Sequence, residues 1–162
     1  MKRNPAKEIA FGSFTAALYV VLTMVANAFG LASGVIQVRI SEALTILPVF
    51  SNVAIPGLTV GCLLANIMTG CLPWDVVFGT FATFLGAIGT RLLREKPLLA
   101  WIPPVVSNML IVPIVLQRVY GVPDAWWYLV LTVGAGEVIS CGVLGLLLWR
   151  AVKDVPVIRE MN

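Results

Sequence analysis

IAFGSFTAALYVVLTMVANAF, residues 9–29, is a run of roughly twenty residues without a charged side chain. A run of this length crosses the ~30 Å hydrocarbon core of a bilayer as a single α-helix. The rest of the chain has the same character, because hydrophobic residues make up 59% of it and its mean hydropathy is +0.96. Soluble domains average ~45 to 50% apolar residues. The sequence therefore predicts a polytopic membrane protein.

The apolar runs predict an all-α bundle of six transmembrane helices that forms a single integral-membrane domain over residues 1–162. At ~20 residues per span, the chain has no room for a soluble domain. The second span begins at Ser41, a residue that favours a helix N-cap, and Pro56-Gly57 opens the third. The predicted spans are 9–29, 41–50, 55–70, 75–90, 98–116 and 126–149.

The basic residues predict the orientation of these spans. All but two of them fall on one side: Lys2, Arg3, Lys7, Arg91, Arg94, Lys96, Arg150, Lys153 and Arg159. Only Arg39 and Arg118 fall on the other side. By the positive-inside rule both termini are cytoplasmic, and the connections 30–41, 70–74 and 117–125 are outside. The net charge of +3 is then mostly a topology signal, and no basic stripe with interleaved aromatics points to nucleic acid.

Several function classes are excluded by missing residue types. The chain has no histidine, so neither a Ser/His/Asp triad nor a His-ligated metal site is possible. It has no G-x-x-x-x-G-K-[ST] loop with which to use ATP, and no carboxylates repeated at metal-binding spacing. We therefore predict no catalytic residue, metal or cofactor, and expect the protein to bind or move a molecule without changing it.

Glu137 is the strongest candidate for a functional contact. It lies between Trp126 and Trp149, which are typical interfacial anchors, and so is expected near the bilayer midplane. A carboxylate there is a ligand contact, a proton carrier or half of a structural ion pair. Small and polar residues one helical turn away could border a cavity or form a tight helix contact: Gly134, Ser140 and Cys141.

The segment QVRISE, residues 37–42, carries a second set of polar candidates. Arg39 and Glu42 either order a lid over a pocket or form a local ion pair at the positive end of a helix dipole. Asp75 is either functional or an ordinary acid of a first helical turn. Asn66 and Asn108 are amides that either contact a ligand or bond neighbouring helices.

Five stretches resemble one membrane protein family. They are VRISEALTILP (38–48), AIPGL (54–58), GCLLAN (61–66), DVVFGT (75–80) and PPVVSN (103–108). Together they resemble the queuosine-precursor transporter (QueT) family, the substrate-binding S components of energy-coupling factor (ECF) transporters. The resemblance implies a six-helix membrane subunit that associates with a transmembrane coupling subunit and two cytoplasmic ATPases, which would explain the missing P-loop.

The implied cargo is queuine or another 7-deazaguanine, such as 7-aminomethyl-7-deazaguanine. Its N–H donors and cationic aminomethyl group suit carboxylates, while amides suit its carbonyl and ring nitrogens. We therefore expect the pocket in the outer half, closed by the 30–41 connection. The predicted substrate-binding residues are Gln37, Arg39, Glu42, Asn66, Asp75, Asn108 and Glu137.

The first span carries a stripe of small residues, in which Gly12 and Ala16 are one turn apart, with Ser13 and Ala17 beside them. Small residues allow close helix approach, so we predict that this stripe docks on the coupling subunit. Two alternatives to the S-component function remain open at this level. One is a self-sufficient proton-coupled carrier that titrates Glu137, and the other is a structural membrane subunit without a ligand.

Overall fold

A computed structural model describes residues 5–31 and 37–159, without the side chains of Val157 and Arg159. Lys2, Arg3 and part of the predicted outer connection, residues 32–36, lie outside the described residues. Every regular element within the described ranges is helical, which confirms the all-α prediction. In chain order they are α1 (Pro5–Ala28), a 3₁₀ helix (Ile40–Val49), α2 (Ala54–Met68), α3 (Pro73–Leu92), a short 3₁₀ turn (Pro97–Leu99), α4 (Ile102–Arg118), α5 (Trp126–Glu137), a π-helical segment (Val138–Leu144), α6 (Gly145–Val152) and α7 (Pro156–Arg159).

Within the part of the chain that the structure describes, three helical stretches are long and apolar enough to cross a bilayer: Pro5–Ala28, Pro97–Arg118 and Trp126–Val152. The 3₁₀ helix and α2 are apolar but shorter. Helices therefore occupy the predicted positions, while the count of six spans and the cytoplasmic termini stay predictions.

The exterior of the bundle is apolar and its interior holds polar groups. Large apolar side chains such as Phe14, Leu92 and Trp127 are exposed, whereas Glu42 and Asn108 are almost fully buried. In water this arrangement would leave large apolar patches without a partner. It is the arrangement expected of a protein whose solvent is lipid and whose buried ionisable groups face the bundle interior.

The 3₁₀ helix forms the centre of the fold. Residues 41–49 are all buried, and the helix contacts α1, α2, α3, α6 and the π-helical segment. Runs of 3₁₀ helix beyond three or four residues are uncommon, and they often mark functional or strained sites. Because this helix has 3.0 residues per turn, the backbone positions of Arg39, Glu42 and Thr45 follow one another in a single row.

The prediction that Ser41 caps this helix was wrong. The N-cap position is Arg39, and no side chain bonds the first turn as a cap. The hydroxyl of Ser41 instead accepts a hydrogen bond of 2.8 Å from the Thr23 hydroxyl on α1. Contact with a neighbouring helix has therefore replaced the local capping interaction that the sequence favoured.

A glycine contact holds α1 against α2. A Cβ atom added at Gly57 would lie 2.6 Å from the carbonyl oxygen of Gly12, too close for any larger residue without movement. The two backbones therefore touch at this point, as small residues permit in membrane helices. Gly12 is thus part of an internal helix contact as well as of the small stripe on α1.

Candidate functional site

A cavity of about 320 Å³ opens between α1, the start of the 3₁₀ helix, the start of α3 and the segment that follows α4. Its volume is at the lower end of the ~300 to 1,000 Å³ that small-molecule pockets occupy. Three predicted binding residues line it: Gln37, Arg39 and Asp75. The other four do not: Glu42, Asn66, Asn108 and Glu137.

Arg39 connects this cavity to the buried polar groups. Its guanidinium Nη2 donates a hydrogen bond of 3.3 Å to Oδ1 of Asn66 on α2. Its backbone N–H donates to the Ser140 hydroxyl in the π-helical segment, at 3.1 Å. The Arg39 side chain therefore separates the cavity from an amide that is 1% exposed.

Glu42 lies in the protein interior, with 0% of its surface exposed. Its Oε1 accepts a hydrogen bond from the Tyr19 hydroxyl of α1 and lies 3.5 Å from the Thr83 hydroxyl of α3. Its Oε2 has no hydrogen-bond partner among the described residues. Glu42 is therefore not half of an exposed ion pair on the outer connection, which was the alternative interpretation.

Glu137 is buried at the end of α5, beside Glu42. The Cys141 thiol donates a hydrogen bond of 3.2 Å to Oε2 of Glu137. One carboxylate oxygen of Glu42, one carboxylate oxygen of Glu137 and the Cys141 sulfur all lie within 4.8 Å of one another. The π-helical segment begins directly after Glu137, and π-turns inside helices are frequent at functional sites.

Asn108 contributes two further unsatisfied atoms to this interior. The side chain is 1% exposed and lies beside Glu137. Neither Nδ2 nor Oδ1 has a hydrogen bond of ordinary geometry among the described groups. Buried amides normally have partners, so atoms of this kind in a native protein call for an explanation such as an unfilled ligand contact.

The small face around Glu137 serves helix contacts. A Cβ at Gly134 would lie 2.9 Å from the Met109 side chain of α4, and a Cβ at Gly136 would overlap the carbonyl oxygen of Gln37. Gly136 thereby lets the backbone of residue 37 lie directly on α5. Of the two interpretations offered for Gly134, the structure shows the helix contact.

Asp75 and Tyr120 form a link at the mouth of the cavity. The Tyr120 hydroxyl donates a hydrogen bond of 2.7 Å to Oδ2 of Asp75 and accepts one of 3.3 Å from the Leu72 N–H. Partial burial, and next the hydrogen bond to Asp75, raise the pKa of Tyr120 to about 12. The link joins the 117–125 connection to the start of α3.

We predict that Tyr120→Phe will speed ligand release. Losing one hydrogen bond of this kind costs ~0.5 to 1.5 kcal/mol, which corresponds to a dissociation rate roughly 3 to 10 times faster. Because the pKa of Tyr120 lies above its ordinary value, the link is intact below about pH 10 and is lost as the pH rises through about 12. Stopped-flow release should therefore be faster in the variant and show no Tyr120-dependent change between about pH 6 and 9. Equal rates in parent and variant would contradict a closing role.

Sequence reasoning missed three residues of this site. Tyr19 and Thr83 contact Glu42, and Tyr120 bonds Asp75 at the cavity mouth. A tyrosine inside an apolar helix was an available signal for Tyr19, because buried tyrosine hydroxyls seek a partner. Thr83 gave no such signal, since threonine is common in membrane helices.

These features define a class of protein. An all-helical chain with an apolar exterior, a small-molecule cavity and buried polar groups is an integral membrane protein that handles a solute. A family model described as QueT transporter matches residues 9–154. The chain therefore belongs to the QueT transporter family, which is a family of transporters and not of enzymes.

One similar relative is the queuosine precursor transporter QueT of Lactococcus lactis subsp. cremoris (strain MG1363). The two chains are 34% identical over 86 residues, which cover 52% of this chain and 50% of the relative. The match thus spans about half the length of that relative. No solved structure matches this chain.

Proposed function

We propose that this protein is the substrate-binding membrane subunit of an ECF-type importer and captures a queuosine precursor of the 7-deazaguanine type. Membership of the QueT family and the name of the Lactococcus relative support the cargo class. In this proposal the chain spans the membrane six times, with both termini in the cytoplasm and the cavity facing outward. The distribution of lysine and arginine supports that orientation.

The observation that carries this proposal is a set of buried acceptors and donors without partners beside a cavity. Among the described residues, Oε2 of Glu42 has no hydrogen-bond partner and the Asn108 amide has none of ordinary geometry, although it lies against Glu137. Unsatisfied buried polar groups each cost ~1 to 3 kcal/mol. A 7-deazaguanine carries N–H donors, a carbonyl and a ring nitrogen on its rim. It could therefore satisfy a carboxylate and an amide at the same time.

Access to these atoms requires movement of Arg39. One hydrogen bond to Asn66 holds its guanidinium between the cavity and the interior, and longer side chains at cavity walls exchange rotamers readily. We propose that the cargo first occupies the cavity, where Asp75 and Gln37 meet its aminomethyl group and polar rim. Displacement of Arg39 then brings the base to Asn66, Asn108 and Glu137.

A second surface supports coupling to partner subunits. An apolar groove of about 590 Å³ runs between α1 and α2, and Gly12 and Ala16 line it together with exposed Ser13 and Ala17. The predicted small stripe therefore borders a groove open to the outside of the bundle. We propose that the transmembrane coupling subunit docks here and that two cytoplasmic ATPases supply the energy.

Calorimetry on the purified chain tests the proposed cargo. The chain in detergent should bind 7-aminomethyl-7-deazaguanine with a stoichiometry near one, and mass spectrometry of the protein purified from cells should detect a compound of this class. A folded chain that binds neither this base nor queuine would contradict the proposal and would favour a structural subunit. Asp75→Asn, which removes a charge at the cavity mouth, should weaken binding of the cationic aminomethyl base more than binding of 7-deazaguanine itself, which lacks the aminomethyl group.

A further inference from the structure

The interior around Glu42 and Glu137 contains more acidic than basic side chains. Two carboxylates face a single guanidinium, that of Arg39. The other titratable groups that face them are neutral at pH 7 in their ordinary states: Tyr19 from α1, Cys62 from α2 and Cys141 from the π-helical segment. The facing residues of α3 and α4, Thr83 and Asn108, do not titrate, and the charged residue of α6, Arg150, is exposed. If both carboxylates were ionised, the cluster would carry one uncompensated negative charge.

The short distance between the two carboxyl groups makes the doubly ionised state costly. Carboxylate oxygens of the two glutamates lie within 4.8 Å of each other, in a region where both residues are at most 5% exposed. Two like charges this close in a buried site do not both ionise readily. Oε2 of Glu42 also has no hydrogen-bond donor among the described residues, because Tyr19 donates to Oε1 of Glu42 and Cys141 donates to Glu137. A proton on one carboxyl would remove the excess charge and supply the missing donor.

We infer that Glu42 and Glu137 share one proton in the ligand-free protein, held between Oε2 of Glu42 and the carboxylate of Glu137. The pair is then a proton site in the bundle interior, with the Asn108 amide beside it. The consequence for transport rests on the proposed function. A cargo that brings N–H donors or a cation to the pair takes the place of the proton, so binding the cationic base would release it.

Infrared spectroscopy on the ligand-free chain tests the proton site directly, because a protonated carboxyl and an ionised carboxylate absorb at different frequencies. At neutral pH the parent protein should show one protonated-carboxyl band that shifts in heavy water. Glu137→Gln and Glu42→Gln should each lose it, since the remaining carboxylate then faces Arg39 alone and ionises. Asp75→Asn is the matched control, and it should keep the band, because Asp75 bonds Tyr120 at the cavity mouth.

Three results would overturn the inference. They are a parent protein without the band, single variants that both keep it, and an elemental analysis that finds one bound metal ion per chain in place of the proton. Glu137→Gln leaves the Tyr19–Glu42 hydrogen bond in place, so it remains informative if Glu42→Gln does not fold. No cargo is present in this experiment. If the infrared bands contradict the shared proton, the proposed cargo is unaffected. If the chain does not bind the cargo, the shared proton is unaffected.

Discussion

Glu137→Gln is expected to remove most of the selectivity of this protein for 7-deazaguanines. The parent should bind 7-aminomethyl-7-deazaguanine at least ~100-fold more tightly than adenine, which is equivalent to ~2.7 kcal/mol. A carboxylate offers two acceptors to the paired donors of a guanine edge, whereas adenine presents an acceptor at ring N1. Adenine would leave a buried charge unpaired, at a cost of a few kcal/mol.

The surroundings of Glu137 make glutamine a suitable replacement. It has nearly the same shape, and its amide oxygen can still accept the hydrogen bond from the Cys141 thiol. Isothermal titration of parent and variant with both bases measures the loss, and Glu95→Gln serves as the matched control, because it makes the same change at an exposed residue outside the cavity. An unchanged preference in a folded Glu137→Gln protein would move the recognition role to Glu42 or Asp75.

Ala17→Phe is expected to abolish ATP-dependent uptake while leaving cargo binding by the isolated chain unchanged. Ala17 is exposed and lines the groove between α1 and α2, so a ring at this position would fill the surface on which the coupling subunit is proposed to dock. Gly12 and Ala16 also line the groove, but they pack against α2 as well, so a leucine at either position would strain the bundle itself.

Val21→Phe provides the matched control for the groove. It adds the same ring to α1 at a position that is 55% exposed and outside the groove, and it should transport normally. Uptake is measured in vesicles that contain the complete importer, and binding is measured on the purified chain. Normal uptake by Ala17→Phe would place the docking surface elsewhere. Uptake in vesicles without the ATPases would favour the proton-coupled carrier.

Hydropathy alone was sufficient for the helical class and for the approximate positions of the helices, because apolar runs of spanning length have few alternatives in lipid. It also placed Glu137 correctly in the interior, since a single carboxylate within a long apolar helix has to face the bundle. The conformation of residues 40–49 could not be predicted from the sequence. Their 3₁₀ geometry depends on the five surrounding elements and not on local propensity.

The role of Glu42 was only half predictable for the same reason. Its type and its neighbour Arg39 marked it as a functional candidate, but the sequence left a lid over a pocket and a local ion pair between the two equally open. In the structure each side chain bonds a different helix: Arg39 bonds Asn66 and Glu42 bonds Tyr19. Tertiary partners more than twenty residues away decided which polar groups met, and local sequence spacing gives no information about such partners.

The far end of the central 3₁₀ helix links the orientation of the protein to the integrity of its core. The Arg91 guanidinium donates hydrogen bonds of 3.1 Å to the carbonyl oxygens of Pro48 and Val49. These carbonyl groups lie at the end of the helix, where no later turn supplies an N–H donor. Arg91 is also one of the basic residues from which the positive-inside rule predicts the cytoplasmic side. An acidic residue at position 91 would therefore change the predicted insertion signal and also remove the hydrogen bonds at the end of the helix that carries Glu42. The same change at Arg94 or Lys96 would alter that signal at an exposed position.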